Sequence, residues 1–584
     1  MMKQNRKTKI GLSIAGLFLV ASIVMTGFNR DEKLFLVDKN LDIYYTLVRE
    51  LNLFYVDEIN PTDLVKTSID EMLGSLDPYT NYIPESDMED FRFMTTGEYA
   101  GIGAMISKHG DQVIIAEPYE GFPAQKSGLK AGDILIEVAG KETEKMSTED
   151  VSNLLKGPAN KVVSVKIDRP GQKKNLEIDI VREKIQIDAV PYYGMIDDEI
   201  GYIRLSNFTQ NCGDEVKKAF TELKKQKGAK SLVLDLRSNP GGLLIEAVKI
   251  VNLFVPKGSE VVSTKGKVKQ WDKTYKATEN PIDTIMPMAV LVNRGSASAS
   301  EIVSGALQDL DRAVIIGSRT FGKGLVQTTR DLSYNTKLKV TTAKYYIPSG
   351  RCIQALDYAH RNEDGSVGTI PDSLITEFTT KKGRKVYDGG GIVPDLKIDL
   401  DRLSSLSINL VRDFMIFDYA TKFANENESI PSPEEFEISD EIFDDFKTFV
   451  KEQKFSYQSE TEEVFSELLE TAKSEKYYDV AEEQFEALKV KIGHELNKDL
   501  ESFKEEIKEM LTDEIVTRYY YQKGAIKSAL KDDKGLEKAK ETLKNPQAFS
   551  TVFTKGKIIS MNWKTLKTRS HSITESFSSE YAGA

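Results

Sequence analysis

The stretch NRGSASASEIVSGALQDL, Asn293–Leu310, decides how this chain reads. The run before it, PMAVLVN (Pro287–Asn293), is a continuous apolar strand signal. The run after it carries apolar residues at Val303, Ala306, Leu307 and Leu310, the spacing of a helix. Between them stand five small residues, Ser296-Ala297-Ser298-Ala299-Ser300. Such a bend is either a turn with a serine helix cap or a strand–turn–helix junction that exposes a nucleophilic serine.

The flanks supply context. GYIRLSNF reads as a strand, CGDEVKKAFTELKKQ as a helix and SLVLDLRS as a strand. GGLLIEAVKIVNLFV begins a helix, and after the serine run AVIIG is another strand. This alternation is the α/β pattern. LKVTTAKYYI follows as a β segment, and GGGIVPDLKIDL closes the domain near Leu400. From Gly97 to Lys184, short β runs (DQVIIAEPY, GDILIEVAG, KVVSVKIDR, NLEIDIV) alternate with glycine turns. Two short helices interrupt them, at Phe122–Gly128 and Ser147–Leu155, giving a compact α+β module. Residues 31–94 read as helical, with amphipathic runs and a loop at DPYTNYIP (Asp77–Pro84). Beyond Leu400 the chain turns acidic and nearly free of Gly and Pro, with apolar residues at helical spacing. It is read as a solvated helical bundle or arm without a catalytic role. The end, from Ser550, is read as loosely ordered.

Composition narrows the classes. The 584 residues suffice for several domains. A net charge of −12 argues against nucleic acid as the main partner. Cys212 and Cys352 allow one bridge but no disulfide framework. No Cys/His cluster suggests a metal, and no cofactor is expected. At the N-terminus, Lys3, Arg6, Lys7 and Lys9 precede an apolar run from Ile10 to Phe28. That pattern favours an uncleaved signal anchor over a cleaved signal peptide, with the body exported.

A second motif is GSRTFGKGLVQ, Gly317–Gln327. It nearly matches a phosphate-binding loop, but Gly324 replaces the metal-binding hydroxyl and LVQTTRDL promises no helix to cradle phosphate. Lys323 has another use. A serine hydroxyl needs a neighbour to take its proton, and a neutral lysine can do so. An ordinary lysine, with a pKa of about 10.4, must be desolvated first. Gly322 and Gly324 let the backbone close around it, Phe321 is placed to exclude water, and Gln327 can bond it without adding charge.

Taken together, GYIRLSNF, LVLDLRSNPGGLL, NRGSASASEIVSGALQD, TFGKGLVQ, TTAKYYIPSGR and GIVPD (Gly391–Asp395) resemble the carboxyl-terminal processing peptidases. These are tail-specific serine/lysine endopeptidases with a crotonase-like α/β core. The resemblance spans about Asp31 to Leu400. It implies Ser298 as nucleophile, Lys323 as general base and Gln327 as the residue that orients the lysine, leaving Ser296 and Ser300 as turn and cap. It implies an oxyanion hole from the N–H of Ala299 with that of Gly241 or Gly242, a choice the residues leave open. The 97–184 module resembles a PDZ domain whose loop Tyr99-Ala100-Gly101-Ile102-Gly103-Ala104 takes a C-terminal carboxylate while the peptide adds a strand. Arg169 is either a coupling residue between this module and the core or an exposed strand end.

The expected architecture is therefore multidomain, α/β with α+β. It comprises a signal anchor (1–30), a helical region (31–95), a PDZ domain (96–184), a peptidase core (185–400), an acidic helical extension (401–549) and a tail (550–584). Expected partners are protein substrates held by their C-termini, and the membrane through residues 10–28. The extension is an oligomerisation arm, a partner-docking surface or a regulator of access, with assembly or docking preferred. The family's bacterial setting implies the cell envelope, on the periplasmic side of the inner membrane. A peptide-binding scaffold and a ligand carrier are the rival uses of such a fold. Both predict loss of part of the Ser298, Lys323 and Gln327 set, which is present in full.

Overall fold

The computed structural model describes residues 34–362, 364–398, 403–493 and 495–554. The anchor expected at residues 10–28 and the tail from residue 555 lie outside them. Among the described residues no helix is long and apolar enough to cross a membrane. The described residues form two compact units, one up to Pro84 together with Thr328–Thr341, the other from Glu85 to Gln327 and from Thr342 onward.

In the first unit, a helix over 34–54 is followed by a helix over Pro61–Gly74. The second starts with proline at its first turn, and the Asn60 side chain accepts from Thr62 N. The sequence led us to expect helix on both sides of a loop over Asp77–Pro84. Asp77 opens that loop: its carboxylate accepts from Tyr79 N and from the hydroxyls of Thr80 and Thr341. The turn leads into strand Asn81–Ile83, which pairs antiparallel with Lys337–Lys339.

The second unit holds the core. Its six-stranded sheet runs in the order Tyr192–Met195, Ile200–Arg204, Ser231–Asp235, Met288–Val292, Val314–Gly317, Leu396–Lys397. Only the first strand is antiparallel to its neighbour. Runs such as MAVLV and VIIG are apolar at every position because the sheet is buried on both faces. Helices Cys212–Lys225, Leu244–Asn252 and Ala299–Asp309 cover one face. Helices Lys534–Lys544 and Pro546–Val552 help cover the other through Leu536, Ala539, Leu543 and Val552. The segment expected as a solvated arm therefore also closes the sheet. Helical spacing shows that a face is apolar, not what covers it. Cys212 and Cys352 are both free thiols.

The 97–184 module is a separate sheet in the order Ala104–His109, Gln112–Pro118, Ile134–Val138, Val162–Asp168, Leu176–Val181. Helix Thr148–Leu155, begun by a Ser147/Asp150 capping box, packs into its core through Val151 and Leu155. Arg169 closes inside this module, on Asp133 and the Gly128 carbonyl, and does not reach the peptidase core. The helices after Ser404 have their own core around Phe443, Phe446, Leu500 and Leu511. Phe443 is fully buried there. Phe443→Ala is expected to destabilise this helical body by about 3–5 kcal/mol, read as an earlier urea transition with unchanged stability of the core sheet.

Candidate functional site

Three loops leave the carboxyl ends of adjacent parallel strands and meet. Strand Ser231–Asp235 leads to Asn239-Pro240-Gly241-Gly242, strand Met288–Val292 to the serine run, and strand Val314–Gly317 to Thr320–Gly324. This edge is where open α/β sheets place their sites. The fold therefore brings together the loops that carry Ser298 and Lys323, 25 residues apart in sequence.

Ser298 has φ +53°, a conformation that non-glycine residues seldom adopt. It sits at the N-terminal end of helix Ala299–Asp309, as a nucleophile elbow requires. Its flanking serines are structural. Ser296 Oγ donates to Leu236 O at 2.7 Å. Ser300 Oγ donates to Asn239 O at 2.9 Å, so Ser300 ties the serine turn to the NPGG loop and is not the helix cap expected from sequence.

The residue that sequence reasoning missed is Glu301. Its carboxylate is fully buried. One oxygen accepts from the backbone N–H of Ser298 and of Lys323, each at 2.9 Å. The other accepts from Gly322 N at 2.7 Å and Thr320 Oγ1 at 2.5 Å. A single carboxylate thus fixes the serine turn against the lysine loop. Thr320 Oγ1 in turn accepts from Ile392 N, which ties in the GIVPD segment. Burial pushes the Glu301 carboxyl up to about 7, while these hydrogen bonds pull it down. A sequence signal was present: Ser298-x-x-Glu301 is a capping-box pattern.

Lys323 is half-buried between Gly322 and Gly324. Gly322 has φ +91°, and a Cβ there would lie 2.5 Å from Ala355 Cβ. Phe321 is 48% exposed. Gln327 is half-buried on strand Leu325–Asp331. That strand, where a phosphate loop needs a helix, removes the nucleotide reading.

The two glycines separate. Gly241 N–H donates to Asn239 Oδ1 at 2.9 Å. Among the described residues, the N–H groups of Ala299 and Gly242 meet no acceptor. Of the expected donors, Gly241 is thus the one already engaged within the chain. Gly241 supplies closeness: its Cβ would stand 2.7 Å from Ala297 O, 2.8 Å from Ser298 Cβ and 2.9 Å from Ala299 N, at φ +103°. Gly241→Ala is expected to push the serine turn aside and lower kcat about 100-fold, with the fold retained, as checked by initial rates and thermal unfolding.

Behind this edge, Asp235 is fully buried between Arg204 and Arg237. Burial works to raise its pKa, yet the guanidiniums of Arg237 and Arg204 hold it down to about 2. Arg237 also reaches Asp533, pinning the last helices to the loop that carries Gly242.

In the 97–184 module, strand Glu98–Gly101 pairs with Glu183–Gln186 and leads into the expected carboxylate loop. The carbonyls of Ile102 and Gly103 are taken by Ala124 N and Tyr119 N, at 2.7 and 2.9 Å. Gly103 has φ +75°, and a Cβ there would meet Phe122 Cβ at 2.5 Å. The Tyr99 ring lies over Gly101, whose Cβ would come within 2.7 Å of Tyr99 Cε2. It stacks edge-on to Phe93 with centroids 5.1 Å apart. Burial raises the Tyr99 phenol pKa, and the N–H groups of Gly103 and Ala104 face its oxygen.

Over residues 199–360 the chain matches the model of peptidase family S41. Residues 114–169 match that of a PDZ domain. Residues 406–543 match that of the C-terminal helical domain of probable PDZ-proteases. The chain is 36% identical over 387 residues to a carboxy-terminal-processing protease of Bartonella bacilliformis, covering 65% of this chain and 85% of that one. It is 32% identical over 468 residues to a probable CtpA-like serine protease of Staphylococcus aureus, covering 80% and 87%. Among solved structures, a photosystem II D1 C-terminal processing protease shares 31% identity at a TM-score of 0.34, covering 61% of this chain and 86% of that one. The chain belongs to peptidase family S41, among the carboxy-terminal processing serine proteases that carry a PDZ domain.

Proposed function

We propose that this protein captures protein substrates by their free C-terminal tails through its PDZ domain and hydrolyses them with a Ser298/Lys323 pair. The observation that carries the reading is the shared grip of Glu301 on the amides of Ser298 and Lys323. Ser298 Oγ attacks the peptide carbonyl carbon while Lys323, neutral at that moment, takes the hydroxyl proton. The oxyanion is held by the N–H groups of Ala299 and Gly242. The C–N bond breaks, Lys323 passes the proton to the departing amine, and the C-terminal fragment leaves. Water then attacks the acyl-enzyme with Lys323 again as base. Gln327 orients the lysine without raising its pKa through added charge. We place the protein in the bacterial cell envelope, held by residues 10–28, with the catalytic body outside the cytoplasm.

The test incubates the full chain with an unfolded reporter ending in an apolar tail. Wild type is expected to cleave it, Ser298→Ala to be inert while folded, and amidation of the tail to slow cleavage. Equal cleavage of free and amidated reporters would remove tail capture, and activity in Ser298→Ala would remove the nucleophile. Fractionation with and without residues 1–30 tests the location: the full chain should sediment with membranes, and recovery of both forms as soluble protein contradicts the anchor.

A further inference from the structure

Strand Ala104–His109 is the edge of its sheet, and among the described residues no strand pairs with its free side. It begins at the loop expected to take the carboxylate. A bound tail must therefore run antiparallel to it, with its last residue beside Ala104 and earlier residues stepping toward His109. Side chains of paired residues share a face. Ala104 and Ile106 pack toward the core under helix Thr148–Leu155. Met105, Ser107 and His109 alternate onto the opposite face. The tail's second, fourth and sixth residues from its end fall beside them.

That opposite face is not bare. The C-terminal helical domain reaches it through helix Met415–Glu426 and the residue before it. Asp418 Oδ2 lies 3.0 Å from His109 Nε2. The Phe414 ring sits on the His109 imidazole with centroids 4.4 Å apart. A Cβ on Gly132 would meet Thr421, and Gln125 donates to the Tyr521 hydroxyl at 2.9 Å. The Asp418 side chain keeps 36% of its surface exposed, so a group arriving at the strand edge can reach it. Glu117, on the neighbouring strand, is paired with Met105, and Glu514 and Arg518 face Glu117 from the helical domain. Arg518 is itself bonded to Glu514 at 2.7 Å.

We infer that the C-terminal helical domain forms one wall of the tail-binding groove, and that Asp418 beside Phe414 selects a Lys or Arg side chain at the sixth residue from the substrate's C-terminus. This rests on the PDZ domain binding tails as proposed above. The cation would pair with Asp418 while its methylene stem lies along Phe414. A glutamate there would meet the same carboxylate and be repelled.

The test uses the full chain carrying Ser298→Ala, so that bound peptides persist, and fluorescent eight-residue peptides with an apolar last residue. The sixth residue from the end is Lys, Ala or Glu. The Lys peptide is expected to bind about fivefold more tightly than the Glu peptide, the scale of one part-exposed charge pair. Adding Asp418→Asn should erase that difference, and adding Asp418→Lys should reverse it. Carboxylate-dependent binding with no preference at this position overturns the inference while leaving tail capture standing. So does a preference that survives both Asp418 variants. Peptides that bind equally well when amidated overturn tail capture itself, and the inference with it.

Discussion

Lys323→Ala is expected to lower kcat about 10⁴-fold and leave KM for a tailed substrate nearly unchanged. Lys323 is held by its backbone: its N–H is fixed by Glu301, and its neighbours Gly322 and Gly324 are buried. Truncating the side chain therefore removes the base without releasing the loop. Ser298→Ala should cost a similar factor, and the double variant little more, because nucleophile and base act as one unit. The four histidines of the chain are His109, His360, His494 and His571. His109 lies in the PDZ domain on Asp418, and His360 is bonded to Asp357 on an exposed strand. Additive losses in the double variant would show that Ser298 draws on a different base.

The second large effect belongs to Glu301. Glu301→Gln keeps one acceptor oxygen but turns an NH₂ toward two donors among Ser298 N, Lys323 N, Gly322 N and Thr320 Oγ1. Buried donors left without acceptors cost about 1–3 kcal/mol each, and the serine turn parts from the lysine loop. We expect kcat to fall at least about 100-fold. The pH dependence sharpens the test. The folded chain holds this proton up to about 7, while the ordinary value is 4.5. Between those values the native state binds more protons than the unfolded state. This group's stabilising contribution is thus full below 4.5 and lost as pH rises through about 7. Activity moves the other way, because protonation removes an acceptor that the four donors need, so kcat should fall as pH drops through about 7. Glu301→Gln should flatten this part of the stability profile. A wild-type stability that rises with pH across this window, after subtraction of the variant's profile, would contradict the assignment.

Much of this was legible in the residues. The apolar strand, small-residue bend and helical spacing around Ser298 can make little else, because a parallel strand buried on both faces must be apolar throughout. Lys323 stood out through its flanking glycines. Glu301 did not, although its capping-box spacing was visible. A glutamate in a first helical turn is ordinarily solvated, and only the tertiary fold shows this helix buried along its whole length. What distinguishes Gly241 from Gly242 is Asn239, whose side chain engages the Gly241 N–H, a contact that the sequence does not announce. The acidic helices gave their amphipathic character but not their partners. Leu536 and Ala539 look alike whether they face a neighbouring helix or, as here, the back of the sheet. Asp418 carries no mark in sequence of its approach to His109, 309 residues away.

The proposed activity rests most directly on Ser298 being activated by Lys323. The measurement is the site and rate of phosphonylation by a fluorophosphonate, read by peptide mass mapping of the full chain. A single adduct on Ser298 is expected, formed faster as pH rises and reduced about a thousandfold or more in Lys323→Ala with thermal unfolding unchanged. An adduct on another serine, or equal labelling of Ser298 in Lys323→Ala, would contradict the account.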